Sequence, residues 1–149
     1  MRPIAKHVAL WMGLSFLFHL AWEALHVRLY TIWDDPDRLY VAGAVLHCTL
    51  GDVLIATAAF ALAAWLFRRA DWPVRWPVRG TLVVVATAMT FTVWSEWYNV
   101  YRVGSWAYAH EMPTIFGVGL TPLLQWILLP PVTTWTVRRL VGAVLDPIR

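Results

Sequence analysis

Four apolar stretches, each about the length of a helix that crosses a bilayer, constrain this chain more than any other feature. A spanning helix needs roughly 20 mostly apolar residues to cover a hydrocarbon core about 30 Å thick. The stretches run from about 8 to 27, 41 to 67, 80 to 98 and 114 to 137, and the second is long enough to tilt. The fourth carries Pro130 and Pro131 near one end, where such a pair is expected to kink the helix or break its last turns. The chain is 60% hydrophobic and 14% charged, against about 45–50% and about 25% in soluble domains. Its eleven tryptophans fit the same class, because indole rings favour the lipid–water interface. The first apolar run is too long for a secretory signal and no small-x-small cleavage site follows it, so it reads as a retained span.

The basic residues then orient the spans. Arg2 and Lys6 precede the first, Arg68, Arg69, Arg75 and Arg79 lie between the second and third, and Arg138, Arg139 and Arg149 follow the fourth. Only Arg28, Arg38 and Arg102 lie on the other side. Positive loops stay inside, which predicts an inner-membrane protein with both termini cytoplasmic. The arginines occur in short clusters between apolar runs, so the net charge of +3 does not point to nucleic acid. Short connections predict antiparallel neighbours, and the expected fold is an all-α integral membrane four-helix bundle. Cys48 is the single cysteine, which excludes an intramolecular disulfide.

Ionisable groups in hydrocarbon are unfavourable by roughly 2.5–3.5 kcal/mol each on insertion scales, so they turn to the interior and find partners there. His19, Glu23 and His26, spaced four and three apart, form one stripe on the first span, extended inward by Ser15. Thr92, Glu96 and Asn99 form a matching stripe on the third, Thr121 and Gln125 pair on the fourth, and Cys48 and Asp52 share a face of the second. His47 points away from Asp52. These stripes are expected to converge on a pocket in the outer half, with Glu23, Glu96 and Asp52 as acid–base groups and Asn99, Gln125, Trp106 and His47 as ligand contacts. Ser15, Thr92 and Thr121 read as interhelical hydrogen-bond partners.

Several chemistries fit that pattern. His19, Glu23 and His26 present two imidazoles and a carboxylate, a set that suits zinc or iron. Haem between two histidines, such as His19 or His26 with His47, has little to distinguish it from buried histidines. A glutamate in a dry pocket is a usable acid toward a lipid or isoprenoid, and Trp94, Trp97, Trp106 and Trp126 could stabilise a cation, although aromatics at these depths also form the interfacial belt. A transporter of so few helices would need a homo-oligomer, and the chain could instead be an accessory subunit in a larger membrane complex. No Gly-x-Ser-x-Gly, P-loop or dinucleotide fingerprint is present.

Three segments carry a resemblance: SEWYNVYRVGSWAYAHEMPTIFGVGLTPLLQW from Ser95 to Trp126, WEALH from Trp22 to His26 and HCTLGDVLIA from His47 to Ala56. Together they resemble an uncharacterised family of small four-span bacterial inner-membrane proteins, which implies the fold and no activity. Glu96, the run Gly104-Ser105-Trp106-Ala107-Tyr108 and Pro122 more distantly resemble the small-subunit type of lycopene cyclase, which implies acid chemistry on an isoprenoid. Leu124 and Gln125 stand where that resemblance implies a carboxylate pair. The expected function is therefore a membrane protein with a buried ligand or metal site, set among lipids and open to a lipophilic small molecule.

Overall fold

The computed structural model describes residues 3–145, with side chains described over 6–141. Arg2 and Arg149, which entered the charge count above, lie outside the described residues. The chain is mostly helical: α1 (Pro3–His26), α2 (Arg38–Phe67), a single turn α3 (Trp72–Arg75), α4 (Pro77–Tyr98) and α5 (Leu120–Leu145), with a small hairpin of β1 (Thr114–Ile115) and β2 (Val118–Gly119). Among the described residues three helical segments, Lys6–Leu29, Arg38–Phe67 and Pro77–Val103, are long and apolar enough to cross a membrane. α5, expected as a fourth span, is not among them; it carries Thr121, Gln125, Thr133, Thr134 and Thr136 along its length.

Local chemistry explains where the elements begin and end. Asp37 caps α2, accepting from the Leu39 and Tyr40 amides at 2.9 and 3.2 Å, while Asp35 Oδ1 accepts from the Asp37 amide at 2.8 Å. The acidic turn thus supplies acceptors to amides that a helix start leaves without partners. α2 ends at Arg68, which takes the left-handed conformation at φ 54°, and Asp71 binds Arg69 through both carboxyl oxygens at 2.9 and 3.1 Å. Pro77 opens α4, where its missing N–H leaves no helical bond unmade.

The start of the last helix is corrected, and its last turns are not broken. Residues 114–119 form the hairpin, so α5 starts at Leu120. Phe116 and Gly117 have φ of 50° and 80°, the pair of left-handed residues that a two-residue hairpin turn requires. The helix also runs unbroken through Pro130 and Pro131. The prolines deprive the Trp126 and Ile127 carbonyls of their usual donors, but neighbouring helices hold such a segment in shape. Beyond the pair, Thr134 Oγ1 meets Thr81 Oγ1 of α4 at 2.8 Å, and Val137 is fully buried.

The long helices pack in a closed ring, α1 on α2, α2 on α4, α4 on α5 and α5 on α1. One end of the ring is apolar. There Trp11, Ala59, Phe60, Ala63, Trp72, Val84 and Val137 form a buried cluster. Trp72, from the short helix between α2 and α4, meets Trp11 edge-on at 5.3 Å and Phe60 at 5.2 Å. Its indole lies flat against Gly80, where any Cβ would overlap the ring. Because Trp11 and Phe60 hold that ring from other sides, Gly80→Ala is expected to destabilise the protein by about 1–3 kcal/mol, measured by reversible unfolding in detergent, whereas Gly13→Ala, in open space, should be near neutral.

Candidate functional site

The other end of the ring is hollow. It gathers the C-terminal ends of α1 and α4 and the N-terminal ends of α2 and α5 around a cavity of about 720 Å³, within the size range of small-molecule sites. Glu23 and His26 reach it from α1, His47, Cys48 and Asp52 from α2, and Glu96 and Asn99 from α4. Gln125 and Trp126 reach it from α5, and Trp106 from the loop before the hairpin. His19 lies behind this wall, 2% exposed. On α2, Gly43 and Gly51 also line the cavity and thin that side of it.

Gln125 joins three helices. Its Nε2 lies 2.7 Å from His19 Nδ1, 2.7 Å from Asp52 Oδ2 and 3.3 Å from Glu23 Oε1. His19 Nδ1 also stands 3.3 Å from Asp52 Oδ2. An amide nitrogen carries two N–H groups, so the two short contacts take them and Glu23 Oε1 is left the weakest. His19 Nδ1 is then an acceptor, which puts its proton on Nε2. His26 is fixed by the same logic. Its Nδ1 accepts from the Trp22 indole N–H at 3.1 Å, so its Nε2 donates to Glu23 Oε2 at 3.2 Å. Indole nitrogen is only a donor, and this identifies the neutral tautomer.

Glu96 is gripped differently. Tyr108 donates to its Oε2 at 2.6 Å and Tyr30 to the same oxygen at 3.4 Å, while the Gly119 amide donates to Tyr108 Oη at 2.9 Å. The loops arrange this. Thr31 N–H donates to the Ala107 carbonyl and Ala109 N–H to the Leu29 carbonyl, each at 2.9 Å, so Tyr30 and Tyr108 lie opposite each other with rings 5.6 Å apart. Burial first, and then the adjoining Glu96 carboxyl, push both phenols above their ordinary value, so both remain O–H donors. A π-helical turn, Asn99–Val103, follows α4. Asn99 secures it, donating to the Ser95 carbonyl at 2.9 Å and accepting from Ser105 Oγ at 3.0 Å.

Some sequence expectations are met by different geometry. His47 lines the same cavity as Asp52 although it was expected to point away, because the cavity wraps broadly around α2. Trp94 and Trp97 do not line it: they are 53% and 44% exposed, Trp94 stacking on Tyr98 and Trp97 lying under Arg102. Thr121 donates to Met112 Sδ at 3.3 Å and is likewise absent from the wall. Among the described residues no group of three or more His, Cys, Asp and Glu side chains is close enough to hold a metal ion. His19, Glu23 and His26, the expected metal set, instead make the hydrogen bonds described above. Tyr30 is the residue that sequence reasoning missed. It has no helical stripe to announce it, and only the pairing of its loop with residues 107–109 brings it to Glu96.

Replacing Gln125 by leucine removes the amide while keeping most of its volume. The variant is expected to lose about 1–3 kcal/mol of stability, because buried acceptors on α1 and α2 lose their donor; equilibrium unfolding against the parent protein measures this.

In comparisons with known proteins, no family model, curated protein or solved structure matches the chain.

Proposed function

We propose that this is an inner-membrane protein of four antiparallel spans, with both termini cytoplasmic, that binds a lipophilic small molecule in the cavity at its outer end. The basic residues support the orientation. Lys6, Arg68, Arg69, Arg75, Arg79, Arg138 and Arg139 all belong to the end of the ring that holds the Trp72 cluster, whereas Arg28, Arg38 and Arg102 belong to the cavity end. The positive-inside rule then turns the cavity outward. A membrane-impermeant maleimide applied to intact cells should label Phe116→Cys, at the fully exposed hairpin tip, and should not label Arg75→Cys until the cells are opened, both in a Cys48→Ala background. The reverse pattern would invert the orientation.

One observation carries the ligand reading: Glu23, Asp52 and Glu96, on three different helices, line a single cavity that is otherwise largely apolar. Ionisable side chains inside a membrane protein gather on ligand pathways and sites. Polar packing alone would close such groups on one another, as Gln125 does for Glu23 and Asp52; here these groups and Glu96 also border about 720 Å³ of open space. Apolar walls accommodate a lipophilic body, and the carboxyl groups, Asn99 and Gln125 supply the few polar contacts that orient it.

Gly51 provides the test. It lines the cavity and a Cβ there meets nothing within 4 Å, so Gly51→Phe should fill the cavity and leave the helix packing intact. Native mass spectrometry of protein extracted with its surrounding lipid should detect a stoichiometric hydrophobic small molecule in the parent and none in Gly51→Phe. Equal retention by a folded Gly51→Phe variant would place the ligand elsewhere.

A further inference from the structure

We propose that the cavity takes a lipophilic amine in its ammonium form, admitted from the loop end through an acidic vestibule. This rests on the ligand-binding reading above and adds the charge and donor chemistry of the ligand.

The charge balance is the first argument. Glu23, Asp52 and Glu96 line the cavity, and no lysine or arginine does. A second hollow of about 440 Å³ adjoins it, shares Ile32, Tyr40, Ser105 and Trp106 with it, and is lined by Asp34 and Asp35. Carboxylates thus stand at both ends of this path, Asp34 and Asp35 at the outer hollow and Glu96 within the cavity, with uncharged Ile32, Tyr40, Ser105 and Trp106 where the two meet. The arginines at this end are directed elsewhere. Arg38 donates to the Trp33 carbonyl at 2.8 Å and lies over the Trp33 ring, Arg102 covers Trp97, and Arg28 is exposed. Two histidines, His26 and His47, also line the cavity, and His26 is held between the Trp22 indole and Glu23. Carboxylates held out of water without a positive partner are strongly unfavourable, and a bound ammonium group supplies that partner.

The second argument is a surplus of acceptors. Glu96 is only 7% exposed, and both tyrosines meet one of its oxygens, Oε2. The buried Trp106 indole N–H, a donor, is turned to the same carboxyl. The Glu23 and Asp52 carboxyl groups lie within hydrogen-bond reach of each other, and the two N–H groups of Gln125 serve three acceptors. A primary ammonium group offers three N–H donors and a positive charge together. The faces of Trp106, Trp126 and Tyr30 can add cation–π attraction, and Ile55, Phe91 and Val45 offer apolar surface for an alkyl body. A fatty acid would add a fourth carboxylate to the three that line the cavity, and among the described residues a bare metal ion would lack a compact ligand set.

Full-length protein in detergent, at neutral pH, would be titrated with decylamine, 1-decanol and decanoate, with binding read by native mass spectrometry and by protection of Cys48, which lines the cavity, from N-ethylmaleimide. Decylamine should bind about tenfold or more tighter than decanol, and decanoate weakest; Glu96→Gln and Asp52→Asn should each weaken decylamine about tenfold and leave decanol unchanged. Asp34 is exposed and lies outside the packed helices, so Asp34→Asn, which does not endanger folding, should slow decylamine association and reduce its salt dependence. If decanol binds as tightly as decylamine and the carboxamide variants change nothing, the amine proposal falls and the ligand-binding reading stands. If no probe binds or protects Cys48, both fall.

Discussion

A single carboxamide organises the polar end of this protein. Gln125 reaches from α5 to His19 and Glu23 on α1 and to Asp52 on α2. In water such bonds are worth little net, because each group could bond solvent instead. Among helices apolar enough to sit in lipid that alternative is withdrawn, and polar groups on separate helices must meet or remain unsatisfied. This requirement fixes how α1, α2 and α5 are turned toward one another at the cavity end. At the opposite end, close packing of Trp72 among Trp11, Phe60 and Gly80 serves the same purpose, with the Thr81–Thr134 hydrogen bond joining α4 to α5.

The two ends therefore have different characters. At the apolar end, large rings fill the space between helices. At the cavity end, the loops form a lid of paired backbone between residues 29–31 and 107–109. That pairing also brings two phenols to one carboxylate oxygen. Glu96 is thus positioned from outside the helices, while Glu23 and Asp52 are positioned from within them. Between these two sets lies the space that the proposed ligand occupies.

The carboxylates differ in how much of their bonding capacity the protein satisfies. Glu23 has an imidazole on one oxygen and an amide on the other. Glu96 takes two phenol hydroxyls on one oxygen, and Asp52 shares the Gln125 amide with Glu23 and His19. A site built only to join helices would saturate its acceptors, since each unmade bond in a low-dielectric interior is unfavourable. The surplus acceptors belong to the same side chains that line the cavity.

The sequence by itself determined the long helices, because apolar length and period depend on local composition, and it determined which polar residues share a helix face. The stripes of Glu23 with His26 and of Glu96 with Asn99 follow from helical spacing alone. What only the tertiary structure decided was how those faces are turned toward one another and what the loops contribute. The hairpin at Phe116–Gly117, the continuity of α5 through its prolines, the insertion of Trp72 and the role of Tyr30 depend on contacts between residues far apart in the chain. Local periodicity carries no record of such contacts, so the aromatic residues that fill the core, Trp11 and Trp72, look in the sequence like those, Trp94 and Trp97, that face outward. Rotation about a helix axis is set by the neighbours, and the neighbours exist only once the chain has packed.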